Sequence, residues 1–140
     1  MSTDPAIRTR GLTRRFGKLT AVDHIDFRVE SGEVFGFLGP NGAGKTTTVR
    51  MLTGVILPTE GTAEVEGHDI VREATAAREH IASVPEEANV YVDLTVWQNL
   101  MLMAELHGVS RSRRRERAGE LLERFGLADR THQKGRKLSK

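Results

Sequence analysis

One loop constrains this chain more than any other feature. Gly39-Pro40-Asn41-Gly42-Ala43-Gly44-Lys45-Thr46 follows directly on the apolar run Val34-Phe35-Gly36-Phe37-Leu38. The stretch satisfies G-x-x-x-x-G-K-[ST] with a predicted strand before it and a predicted helix after it. Glycines 39, 42 and 44 let the backbone curl so that successive N–H groups converge on phosphate oxygens, and Pro40, Asn41 and Ala43 complete the cradle. The helix expected from Lys45 to Leu52, closed by Gly54, points its positive dipole end at the same anion. Lys45 is spaced to reach the β- and γ-phosphates as a mobile point charge. The Thr46 hydroxyl is spaced to coordinate a Mg²⁺ ion bridging those phosphates, and Thr47 to turn a hydroxyl or amide toward the α-phosphate. The loop is expected to bind a nucleotide.

The rest of the chain sets bounds on that reading. Its 140 residues give room for one domain with a core and hardly for two. No run of about 18 apolar residues is present, the longest being VFGFL at 34–38 and LMLMA at 100–104, so no membrane span is expected. MSTDPAIRTR at the N-terminus lacks the apolar core of a signal peptide. With no cysteine there are no disulfides and no thiolate metal sites. The formal net charge of +2 hides an asymmetry: residues 111–140 carry 11 Lys/Arg against four Asp/Glu. The reading favoured here is a solvated helix. Phe125 is the block's one aromatic and is placed on the apolar side of that helix, so base stacking on a nucleic acid has little support.

Periodicity places the elements around the loop. Ile25, Phe27 and Val29 alternate with Asp26, Arg28 and Glu30, the pattern of a half-buried strand. Val34 to Leu38 does not alternate, which predicts a strand covered on both faces. Ala63 and Val65 suggest a short strand ending at Gly67, residues 72–80 a helix, and Ile81 to Val84 a strand halted by Pro85. Helices follow. Thr95 with Gln98 reads as a capping box, Gly108 as a stop, and a second helix runs from about Ser112 to Phe125 with Gly126 beyond it. The division expected is an α/β nucleotide-binding core over 1–84 and a helical subdomain over 85–140. None of the five histidines (24, 68, 80, 107 and 132) stands at a metal-like spacing from another.

A phosphate loop alone is shared by kinases, GTPases and motor ATPases, so it does not fix function. Residues 11–61, from GLTRRFGKL to ILPTEG, resemble the ATP-binding subunit of ABC transporters, closest to the drug- and sodium-exporting branch. The resemblance continues through IASVPEEANVYVDLTVWQNL at 81–100 to LSK at 138–140, the N-terminal portion of that family's domain. It implies a P-loop ATPase core with a small antiparallel β part and a helical subdomain, apparently truncated. It also implies roles for single residues. Phe16 falls where the family stacks an aromatic on adenine; the residues alone leave it open between that role and a core position in a short strand. Glu86, aligned on Pro85, stands where the family places a glutamine that touches Mg²⁺ and the attacking water. A carboxylate can do both but adds negative charge beside the γ-phosphate. The residues leave open a solvated Glu86-Glu87 pair. Ser139 matches the serine of the LSGGQ-type signature, which caps the ATP of a partner domain.

The resemblance further implies ATP and Mg²⁺ as cofactors, a second ATP-binding domain in a head-to-tail dimer, and a membrane-spanning permease contacted through residues 85–100 and the helical part. Tyr91 and Trp97 are candidate anchors there. The location implied is the cytoplasmic face of the membrane, through the permease. Complete members hydrolyse ATP with an apolar strand ending in Asp, then a Glu and a later His, all beyond the signature. Within these residues Val90-Tyr91-Val92-Asp93 is followed by Leu94 where Glu is needed, so Asp93 is assigned to the turn before Thr95. The 140 residues are therefore expected to bind ATP without turning it over alone, and to leave an apolar sheet edge uncovered. The alternatives weighed are an ABC-type ATPase acting on ribosomes or DNA, and a catalytically silent nucleotide-binding fragment.

Overall fold

The computed structural model of the protein describes residues 4–84 and 90–138. The chain divides into two compact units, Met1–Ser83 and Val84–Lys140.

The first unit is built around β1 (Ile7–Phe16), which pairs antiparallel with three strands. These are β2 (Leu19–Ile25), β3 (Arg28–Val29) and β4 (Glu60–Val65). A last strand, β5 (His68–Asp69), follows β4 through a tight turn in which Glu66 and Gly67 both hold positive φ. That pair is the geometry of a two-residue hairpin turn. The helices are α1 (Lys45–Leu52) and α2 (Ala74–Glu79). Leu12, Val22, Met51, Ala63, Val65, Ile70 and Ala77 form the core, so α1 and α2 both pack on the sheet. Leu12 and Met51 are fully buried, each a contribution of about 1.5–3 kcal/mol from apolar burial.

Central β1 reads IRTRGLTRRF, with few apolar letters, because threonines do part of its packing. Thr13 is fully buried; its hydroxyl donates to the Gly11 carbonyl and accepts from the His24 amide. Thr9 Oγ1 accepts from the Phe27 amide at 2.8 Å. Each hydroxyl thereby joins β1 to the segment across from it.

Three strand expectations need correction. The alternation at 25–29 points inward as predicted, Val29 being buried, but it spans the end of β2 and the two residues of β3 rather than one strand. Residues 34–38 form no strand: Val34 is 99% exposed and Leu38 92% exposed. Phe35 and Phe37 instead turn onto Phe27, with ring centroids 5.6 Å away in each case. The physical reason is that a strand exists only through hydrogen bonds to a neighbour, and no described strand runs beside this segment. The same holds for 81–84, where Ile81 packs against the core while Val84 is 96% exposed.

The second unit is an antiparallel helix pair, α3 (Val96–Leu106) and α4 (Arg111–Arg124), with Val96, Ala118 and Leu122 buried. Thr95 and Gln98 form the expected capping box, each side chain accepting the other residue's amide. Gly108 ends this hairpin's first arm at φ 71°. Residues 131–136 return along the start of α3, the Val96 and Trp97 amides donating to the Gln133 and Thr131 carbonyls. Asp93 lies in the turn before the cap and faces Arg136 at 3.4 Å. Phe125 departs from expectation: it is the C-cap of α4 and exposed, because the last turn's packing position is taken by Leu122. Replacing Thr95 with Ala is expected to cost roughly 1 kcal/mol of helix stability. Faster hydrogen exchange at the first amides of α3 would report it; unchanged exchange would show that the cap contributes nothing.

Candidate nucleotide site

The glycine loop reaches its shape through one close approach. Gly44 is the N-cap of α1 at φ 85°, ψ 2°. A Cβ on Gly44 would stand 2.4 Å from the Ala21 carbonyl oxygen and 3.0 Å from Val22 Cγ2, so only glycine lets the loop lie against β2. Gly42 also has positive φ, at 83°, with open space around it. A Cβ on Gly39 would meet Ala43 Cβ at 3.2 Å. The Ala43 amide donates to the Pro40 carbonyl, which closes the turn.

Lys45 folds back over this loop. Its Nζ donates to the Gly39 carbonyl at 2.5 Å and the Pro40 carbonyl at 2.7 Å. An ammonium satisfied by two weakly charged carbonyls keeps strong attraction for a phosphate. Helix α1 has no side-chain cap and no acidic residue in its first turn, so its first backbone amides have no side-chain acceptor among the described residues.

The threonines that follow differ in what they touch. Thr48 is buried and its hydroxyl donates to the Gly44 carbonyl at 3.0 Å, a structural use. Thr46 is exposed, and among the described residues its hydroxyl has no hydrogen-bond partner. Thr47 is half-buried. Among the described residues no cluster of three His, Cys, Asp or Glu could hold a metal ion.

Phe16 closes β1 opposite Leu19 and is 45% exposed, with Gly17 turning the chain at φ 56°. Because β2 carries both Leu19 and the Ala21-Val22 pair that Gly44 touches, one strand supports the aromatic residue and the phosphate loop. The Arg14 guanidinium lies over the Phe16 ring, Cζ 4.5 Å from its centroid. Nearby Arg15 pairs with Glu60, and that hydrogen bond holds the Glu60 carboxyl below its usual range. The pair therefore adds stability above the ordinary carboxylate pKa, and the gain is lost as pH falls through the lowered one. Glu86 and Ser139 lie outside the described residues. Tyr91 is exposed and Trp97 half-buried. Sequence reasoning did not single out Arg14; its i, i+2 spacing to Phe16 on a strand was the available signal.

Residues 22–140 match the ABC transporter family. The chain is 47% identical over 131 residues to the daunorubicin/doxorubicin resistance ATP-binding protein DrrA of Streptomyces peucetius, covering 92% of this chain and 40% of that one. Against the probable multidrug ABC transporter ATP-binding protein YbhF of Escherichia coli the identity is 40%, over 89% of this chain and 22% of that one. The chain thus spans well under half the length of these curated relatives. The solved structure of an ATP-binding subunit of an ABC transporter superposes with a TM-score of 0.81 at 27% identity, covering 96% of this chain and 56% of that one. That of cbiO1 from Clostridium perfringens, at 22% identity and a TM-score of 0.82, shares the fold over 97% of this chain and 56% of its own. No helix among the described residues is long and apolar enough to cross a membrane. The match runs from the strand that supports the phosphate loop to the last residue, and the chain belongs to the ATP-binding proteins of the ABC transporter family.

Proposed function

We propose that these residues are the ATP-holding part of the motor subunit of a drug exporter. The observation that carries this reading is the loop itself: Lys45 held, among the described residues, by two carbonyls, the start of α1 without a side-chain cap, and Gly44 pressed on β2. Lys45 exchanges its contacts with the Gly39 and Pro40 carbonyls for the β- and γ-phosphates, and the loop from Gly39 through Thr47 surrounds them. Thr46, whose hydroxyl has no hydrogen-bond partner among the described residues, would ligate Mg²⁺, whose charge would offset that of the phosphates. Phe16 stacks on adenine. Glu86 stands at the position that orients the attacking water, and Ser139 faces the ATP of a partner domain.

The partners proposed are a second ATP-binding domain, head to tail, and a membrane-spanning permease contacted through the helical unit, which sets the protein on the cytoplasmic face of the membrane. The resemblance to drug-resistance proteins supports export. Binding without turnover is proposed for these 140 residues. Titration calorimetry with MgATP, beside a phosphate-release assay, tests this. Micromolar to millimolar binding with no release above background is the expected result. Absence of MgATP binding, or steady release that the Lys45→Ala variant abolishes, would overturn it.

A further inference from the structure

We infer that Arg14 is a positioning residue for nucleotide recognition: it backs the Phe16 ring and couples it to the chain leaving the phosphate-loop helix. This rests on the proposed stacking of Phe16 on adenine. Three observations meet at this side chain. Its guanidinium covers one face of Phe16 at 4.5 Å. One of its terminal nitrogens donates to the Leu57 carbonyl at 2.8 Å, five residues beyond the end of α1. Its Nε is buried and has no hydrogen-bond partner among the described residues.

The third observation is the least expected. A guanidinium is seldom placed with a buried N–H unsatisfied, since the group forfeits hydration there. On a strand it could swing into solvent, as exposed arginines do. It is held instead by the Leu57 carbonyl on one side and the aromatic ring on the other. The backbone is arranged for this. The register of β1 against β2 slips between Leu12 and Arg14 and again between Arg14 and Arg15. Such irregularities re-aim side chains beside sites. The following segment is tied down too: the Arg15 amide donates to Thr59 Oγ1 and the Thr59 amide to the Thr13 carbonyl. The chain from Leu57 to Glu60 therefore grips β1 at Thr13, Arg14 and Arg15 in succession.

Two consequences follow for a bound base. The ring keeps one orientation, so the stacking partner meets a surface already fixed and loses less freedom on binding. A cation on one face also draws ring electron density toward itself, which eases stacking of an electron-rich purine on the opposite face. The triphosphate gains nothing from either effect. Arg14 should therefore act on the base-dependent share of affinity only.

The test compares MgATP with inorganic tripolyphosphate, by calorimetry on the full 140-residue chain, for wild type, Phe16→Ala, Arg14→Met, Arg14→Lys and the Phe16→Ala/Arg14→Met double variant. Phe16→Ala is expected to weaken MgATP about tenfold by loss of base stacking. Arg14→Met is expected to weaken MgATP about threefold, the scale of an exposed cation–π contact, and to leave tripolyphosphate unchanged. Arg14→Lys, which keeps a cation, should stay within about twofold of wild type. The double variant should be no weaker than Phe16→Ala alone. Equal losses for both ligands in Arg14→Met, no loss, additive losses in the double variant, or Arg14→Lys no better than Arg14→Met would each overturn the role of Arg14 while leaving stacking intact. An unchanged ratio of MgATP to tripolyphosphate affinity in Phe16→Ala would remove the stacking reading itself, and the role of Arg14 with it.

Discussion

Replacing Gly61 with alanine is expected to destabilise the N-terminal unit by about 3 kcal/mol or more, adding left-handed strain to overpacking. Gly61 lies on β4 with φ 76°, opposite Gly11 on β1 with φ 55°, where the register slips between Arg10 and Thr13. A Cβ there would stand 2.1 Å from the Gly11 carbonyl oxygen and 2.5 Å from that of Arg10. Both obstacles are backbone, so no rotamer relieves the overlap and the two strands must part. The strands concerned hold Leu12 and Ala63 in the core, so the damage does not stay local. Thermal unfolding should fall by roughly 10 °C or more for a unit of this size. Gly17→Ala is the control: φ is 56° but nothing lies within 4 Å, so only the conformational strain of about 1–2 kcal/mol applies. Equal losses at the two positions would show that the close approach at Gly61 is not what holds the sheet together.

Replacing Lys45 with alanine should have the opposite profile, a large effect on ligand and a small one on fold. Its two hydrogen bonds to the Gly39 and Pro40 carbonyls are exposed, and exposed contacts of this kind move stability by about 0.5 kcal/mol. A charge-assisted bond to phosphate is worth about 1.5–3 kcal/mol, which converts to roughly tenfold to hundredfold weaker MgATP binding. Calorimetry with MgATP and a melting curve on the same sample separate the two effects. Undiminished MgATP affinity in Lys45→Ala would remove the lysine from the site. A collapse in melting temperature would make it a structural residue of the loop.

The parts legible in the sequence were those whose geometry is set within a few residues. The spacing of Gly39, Gly42 and Gly44 before Lys45 and Thr46 specifies a turn into a helix whatever surrounds it. Thr95 and Gln98 cap a helix through bonds that span three residues, and Gly108 and Gly126 stop helices by their own positive φ. The inward set at Ile25, Phe27 and Val29 was legible for the same reason, although the division between β2 and β3 was not.

What the letters could not show depends on residues far apart in the chain. β1 is central because three strands pair with it, and its buried Thr9 and Thr13 read as polar until their partners are known. Val34 to Leu38 carries a strand's composition yet forms none, since no described neighbour supplies the hydrogen bonds. Gly44 reads as a flexible loop residue until β2 is found against it. Arg14 looks like one more surface cation until the ring of Phe16 and the carbonyl of Leu57 are placed on either side. The sequence by itself determined the glycine loop that turns into α1, the Thr95–Gln98 cap and the family, because local spacing and side-chain type suffice for these. Only the tertiary structure decided which strand is central, which apolar run pairs with no described strand and what supports the aromatic residue, because hydrogen-bond partners and close approaches across the fold are properties of residues brought together, not of their order.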